Sequence, residues 1–268
     1  MNRFAEMLDR LAYEPGRNNK LRLLTSYFRE VEDPDRGYAL AALTGALSFK
    51  HAKPALIRDL ITERTDPVLF GLSYDYVGDL SETVALMWPK VAADRSGGSG
   101  AHDGTRYTNH PPPTLTEVVT TLRTLGKTEL PAQLARWLDE LDETGRWALL
   151  KLVTGAMRIG ISARLAKTAA AELGDKDAHD IELMWPGLTP PYLDLFAWLE
   201  GRREKPVNLD PAPFRPVMLA HALEEADFAG LDPADYIAEW KWDGIRVQAV
   251  SGRDPRGHIL PAAVFAHR

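Results

Sequence analysis

Apolar residues recur at three- and four-residue spacing through most of residues 1–205, and Pro or Gly interrupts them at short intervals. That period predicts amphipathic helices of modest length rather than strands. Leu8 and Leu11, then Leu21, Leu24 and Phe28, mark the first two, parted by Pro15-Gly16. Later segments end at Asp33-Pro34 and Lys53-Pro54, and helices resume near Leu115. Thr128 with Pro131 marks another start, and Leu134, Trp137, Leu138 and Leu141 then share one stripe. A segment over 146–157 is read as broken by Gly160. Ser162 is placed to cap the next helix, which runs to about Leu173 and ends at Gly174. Two further pieces cover about 177–185 and 191–201.

Residues 92–113 are rich in Gly, Ser and Pro and nearly free of apolar side chains, so a mobile loop is expected there. The tetrapeptide LMWP precedes this loop at 86–89 and returns at 183–186, which hints at two related helical halves. After Gly201 the composition changes. Arg202-Arg203-Glu204-Lys205-Pro206 and prolines at 211, 213 and 216 read as a linker, and the domain boundary is expected near residue 205. The expected fold is mainly α: an all-helical domain over 1–205, then an α+β segment over 206–268. A length of 268 residues with 45% hydrophobic content is enough for such a pair of cores.

The α+β segment carries the run EWKWDGIR at 239–246. Asp243-Gly244 is a strong signal for a two-residue hairpin turn. With 236–238 and Ile245, Val247 and Val250 as the arms, Lys241 faces Arg246 and Glu239 faces Gln248, all on one face. Two cations opposed in a bare hairpin destabilise it by roughly a few tenths of a kcal/mol, and an anion bound between them relieves the clash. Arg246 and desolvation would both lower the pKa of Lys241, which must lose its proton to act as a nucleophile. The run thus reads either as an activated lysine beside a phosphate clamp or as an exposed hairpin of mixed charge. Trp240 and Trp242 fall on the opposite face and are expected in a core, as are the tryptophans at helical spacing.

EWKWDGIR closely resembles the nucleotidyl-lysine motif of ATP-dependent DNA ligases, in the superfamily that includes RNA ligases and mRNA capping enzymes. The resemblance implies that Lys241 attacks the α-phosphate of ATP, expels pyrophosphate and becomes a lysyl-AMP. It assigns Glu239 to the adenine and Arg246 to the ribose or the nick 5′-phosphate region. KLVTGAMRIGISARLAKTAAAEL (151–173) resembles the R-I-G element of the helical DNA-binding domain found upstream in larger ligases. VGDLSETVA (77–85) resembles a second stretch of that domain, and FRPVMLA (214–220) the segment leading into the adenylation domain. In that family the helical domain grips the minor-groove face of nicked duplex DNA through backbone amides and basic residues. The positions carried over are Arg158, Gly160, Ser162, Arg164 and Lys167. From the residues alone, the same turn is either a phosphate site at a helix N-terminus or a plain capped helix–helix turn.

The resemblance also implies Mg²⁺ and nicked duplex DNA as partners, a monomer, and work in DNA repair or replication. Rival readings are a helical DNA-binding module without chemistry, and another lysine nucleotidyltransferase such as an RNA ligase. The family's adenylation domain continues well beyond its lysine, and the last nine residues do not resemble that continuation. The chain is therefore expected to be an incomplete reading of the ligase, weak or inactive on its own. A net charge of −6 argues against generic polyanion binding, but three basic clusters stand out: Arg17, Lys20 and Arg22; Lys50, His51, Lys53 and Arg58; and Arg158, Arg164 and Lys167. These are either phosphate-holding faces or solvated surface charge. The histidines show no metal-ligand spacing. The absence of cysteine suits a reducing cytoplasm, and no apolar run is long enough to span a membrane.

Overall fold

The computed structural model describes residues 1–89, 111–155, 157–208, 223–237, 240, 246–253 and 259–267. Contacts divide the chain into two compact units, 1–178 with 189–205, and 179–188 with 206–268. The chain is mainly α, and no described helix is long and apolar enough to cross a membrane.

The first unit begins with α1 (Asn2–Tyr13), α2 (Arg17–Glu30) and α3 (Asp35–Leu43). It continues through α4 (Pro54–Thr62), α5 (Pro67–Val77), α6 (Leu80–Met87), α7 (Leu115–Thr124), α8 (Leu130–Glu140), α9 (Glu143–Thr154) and α10 (Ala163–Leu173). After α11 (Ala178–Met184), most of which groups with the second unit, α12 (Leu193–Leu199) closes the first. The expected stripes are the buried ones: Leu8 and Leu11 on α1, Leu24 and Phe28 on α2, and Leu134, Trp137 and Leu138 on α8, each under 5% exposed. Burying a side chain of this size contributes about 2 kcal/mol, so these faces hold helices too short to persist alone.

The helix starts follow local chemistry. Thr114 and Glu117 form a reciprocal capping box at α7. Asp66 and Asp79 each accept two backbone N–H bonds at the starts of α5 and α6. Two boundaries differ from expectation. Glu129, not Thr128, precedes α8. Helix α9 starts early, at Glu143 behind the Asp142 cap, and ends at Thr154, because Gly155 rather than Gly160, in the left-handed conformation (φ 69°), closes it.

In the packing, α1 lies against α2 and α9, α2 against α10, and α6 against α5 and α9. Arg36 is a buried cation that ties the end of α2 to α12. It forks onto the Asp33 carboxylate at 2.8 Å, donates to the Phe28 carbonyl at 3.1 Å and to Glu200, and lies 4.5 Å over the Phe196 ring.

The second unit holds α11, short 3₁₀ turns at Trp185–Gly187, Glu225–Ala229 and Pro233–Asp235, and an antiparallel pair, β1 (Arg246–Arg253) and β2 (Ile259–His267). Its register runs from Arg246↔His267 to Arg253↔Ile259, with an irregularity between Val250 and Gly252. The expected hairpin is corrected in one arm. The strand after the motif exists and pairs with residues 259–267, while 238–239 and 241–245 of the expected hairpin lie outside the described residues. The turn at Pro233–Asp235 occupies the chain just ahead of Tyr236, and neither Tyr236 nor Ile237 is in a strand. Trp240 is 85% exposed instead of buried. The helical run expected over 219–228 is reduced to the turn at Glu225–Ala229, with 219–222 outside the described residues. The FRPVMLA segment and most of the expected loop 92–113 also lie outside them.

Candidate nucleic-acid interface

Between α9 and α10 the chain makes a tight turn. Arg158 (φ 46°) and Gly160 (φ 67°) both take the left-handed conformation, and buried Ile159 anchors the turn between them. Glycine is the residue that adopts this conformation without steric cost. Ser162 then caps α10, its Oγ accepting from the Leu165 N–H at 3.1 Å. The first turn of α10 carries no acidic side chain. The positive dipole end of α10 therefore has no acidic side chain of its own first turn to neutralise it.

Helix α2 runs alongside. Thr25 Oγ donates to the Ala169 carbonyl at 3.2 Å, fastening the two helices. The first turns of α2 thus lie beside the α9–α10 turn, and an open cleft of about 340 Å³ separates them. Arg17 and Lys20 line one wall, and Gly160, Ser162, Arg164 and Thr168 the other. Lys20 Nζ donates across the gap to the carbonyls of Ile159 (3.2 Å) and Gly160 (3.1 Å). The described lining residues include three cations and no carboxylate. Such walls suit an anion rather than the apolar body of a small ligand. Arg17, Ser162 and Arg164 are exposed.

Three of the five positions carried over for DNA, Gly160, Ser162 and Arg164, therefore meet at one cleft. Arg158 is exposed on the same turn but outside the lining. Lys167 is 8% exposed, on a helix packed against α2, α3 and α12, and is not among the residues lining the cleft. Arg17 and Lys20 join the site although they lie some 140 residues away in sequence. Their signal was the basic cluster directly after Pro15-Gly16, but nothing in the sequence placed it beside Gly160. Of the lysine motif, Glu239 and Lys241 lie outside the described residues, and only the backbone of Arg246 is described, at the start of β1.

The two stretches that carry the helical resemblance also meet. Asp79, in VGDLSETVA, caps α6 by accepting from the N–H groups of Ser81 (2.9 Å) and Glu82 (3.1 Å). Its other oxygen accepts from Lys151 Nζ, from KLVTGAMRIG, at 2.7 Å. Lys151 is 1% exposed and lies 5.6 Å from the Trp147 ring centre. Burial pushes the Asp79 pKa up, but Lys151 and the two N–H donors together hold it below the usual carboxylate value. Ser81 and Thr154 hydroxyls approach to 3.4 Å across the same contact. This pair braces α9, whose end feeds the turn at the cleft.

Among the described residues no three His, Cys, Asp or Glu side chains converge on a metal-sized site. The chain matches no model of a known protein family and no curated protein.

Proposed function

We propose that this chain belongs to ATP-dependent DNA nick sealing, with the helical unit as the part that holds duplex DNA and Lys241 as the residue that takes up AMP. The observation that carries the DNA half is the cleft between α2 and α10. It gathers Arg17, Lys20 and Arg164 around a helix start that has a neutral cap and no acidic residue in its first turn, a combination that attracts backbone phosphates without reading bases. The enzymatic half rests on the run EWKWDGIR, with Glu239 and Arg246 as nucleotide contacts and ATP and Mg²⁺ as the implied reactants. The resemblance of 77–85 and 151–173 to the ligase helical domain supports reading the two halves as one protein.

The direct test is an anisotropy titration on nicked duplex DNA over a range of salt. Binding should weaken steeply as salt rises. Arg164→Ala should cost about tenfold in affinity on every sequence and reduce the salt slope by about one. Lys167→Ala, on the same helix but buried, should leave the slope unchanged. Equal slopes for wild type and Arg164→Ala would remove the cleft from the interface. A chain that binds duplex RNA as tightly as DNA would favour the RNA-ligase reading. Radiolabelled ATP with magnesium tests the other half: label retained on the chain and lost in Lys241→Ala supports it. A bound label that persists in Lys241→Ala excludes Lys241 as the acceptor. DNA binding without any label leaves the binding-module reading.

A further inference from the structure

Lys20 stands apart from the other cations of the cleft. Arg17 and Arg164 point charge at solvent, whereas the Lys20 ammonium spends two donors on the successive carbonyls of Ile159 and Gly160. Those carbonyls belong to the one segment of the cleft wall with two left-handed residues, Arg158 and Gly160. Left bare, two carbonyl oxygens beside an anion site would repel a phosphate through their negative ends. In a trans peptide the C=O and N–H point oppositely, so the carbonyl direction also fixes where the N–H groups of Gly160 and Ile161 point. The clasp is tight: a Cβ added at Gly160 would lie 2.5 Å from Lys20 Nζ.

We propose that Lys20 is a positioning residue for the phosphate cleft, masking the Ile159 and Gly160 carbonyls and bracing the α9–α10 turn from α2. This rests on the reading that the cleft takes a nucleic-acid phosphate. Lys20 acts through the turn, and Arg17 acts on the phosphate directly. The two cations on one helix therefore differ in role although they lie three residues apart.

A double-mutant cycle on the full chain separates the roles. Lys20→Met keeps the apolar stem and removes the ammonium. It should weaken nicked-duplex binding about tenfold with an unchanged melting temperature, and Lys20→Arg should recover most of the loss. Gly160→Ala, which strains the left-handed residue and pushes the Lys20 ammonium off the turn, should weaken binding by itself. Lys20→Met on that background should then cost less than about twofold more, while Arg17→Ala on the same background should cost its full amount. Fully additive losses for Lys20→Met and Gly160→Ala would overturn the proposal and make Lys20 an ordinary phosphate contact.

A second readout needs no DNA. The N–H groups of Leu165 and Ala166 bond to Ser162 at 3.1 Å each. Their hydrogen exchange should quicken in Lys20→Met and stay at the wild-type rate in Arg17→Ala. Unchanged exchange in Lys20→Met overturns the bracing outright. A wild-type chain that fails to bind duplex overturns the DNA reading, and with it the purpose of the brace, but quickened exchange would still show that Lys20 holds the turn.

Discussion

Helices α6 and α10 start in opposite ways. At α6 the cap is a carboxylate, Asp79, and a buried lysine from α9 neutralises it. The positive end of that helix is already occupied by an anion of the protein's own. At α10 the cap is a neutral hydroxyl, Ser162, and the charged residues that line the adjoining cleft are cations. The start of α2 resembles α6 more closely, since Glu14 accepts from the Gly16 N–H at 2.8 Å and from Asn19 at 3.1 Å. Hydrogen bonds satisfied by a carboxylate inside the protein make a joint; a helix start beside cations that no carboxylate of the cleft wall neutralises makes a place for an anion from outside. The contrast separates the structural lysine of 151–173, Lys151, from the surface cation, Arg164, though both lie in one stretch resembling a DNA-binding element.

Lys151→Ala should give the largest effect. It leaves the Asp79 carboxylate partly buried beside an empty volume, and breaking such a pair typically costs about 3 kcal/mol or more. The denaturant midpoint should fall at constant slope against denaturant. A loss under about 1 kcal/mol would mean that the α6 end is not held by this pair, and the contrast with α10 would fail.

Ser162→Asp turns the open helix end into the occupied kind. Aspartate caps as well as serine, so stability should stay within about 0.5 kcal/mol. The carboxylate then competes with phosphate at the same N–H groups, and affinity for nicked duplex should fall about tenfold. Ser162→Asn, which caps without charge, should bind as the wild type does. Equal affinities for the Asp and Asn variants would show that the helix end takes no anion.

The helices were legible because their apolar spacing is local: each stripe names its own buried face. Ser162 and Gly174 were legible for the same reason, since capping is decided within one turn. The end of α9 was misplaced because two glycines, Gly155 and Gly160, both suit the left-handed conformation and both adopt it; sequence alone does not rank them. The cleft was half legible. Gly160, Ser162 and Arg164 sit in one contiguous stretch, but Arg17 and Lys20 reach them only through the packing of α2 on α10, a contact between distant segments. The burial of Lys167 was not legible, because a lysine in a basic cluster reads as exposed unless the packing of its helix is known. The Asp79–Lys151 pair left no trace in composition, since each residue alone looks like surface charge. In the second unit Tyr236 and Ile237 were expected in a strand because both are β-compatible residues, and the turn at Pro233–Asp235 directly ahead of them disfavours it.

The smallest expected effect is a pH dependence at the far end of the helical unit, where an ion pair resembles Asp79–Lys151 but is more exposed. Arg36 hydrogen-bonds Glu200 and, with Arg202 beside it, holds that carboxyl down at about 2 against an ordinary 4.5. A depressed carboxylate stabilises the fold fully above its unfolded value and loses that contribution as pH falls through its folded one. The stabilisation should therefore be present at pH 7 and fade between about 4.5 and 2. Glu200 is 30% exposed on its side chain, so solvent screening keeps the contribution under about 1 kcal/mol. Arg36 retains its fork on Asp33 when Glu200 is gone, which limits the loss further. Glu200→Gln should be slightly less stable than the wild type at pH 7, and the two unfolding curves should converge toward pH 2. Subtracting one curve from the other cancels the titration of Asp79 and the remaining carboxylates, which both chains share. A difference that stays constant from pH 7 to 2 would mean that the Glu200 charge contributes nothing and that packing against Arg36 accounts for the contact. That result would leave Lys151–Asp79 as the stronger of the two ion pairs compared here, and would tie the strength of such a pair in this helical unit to its burial.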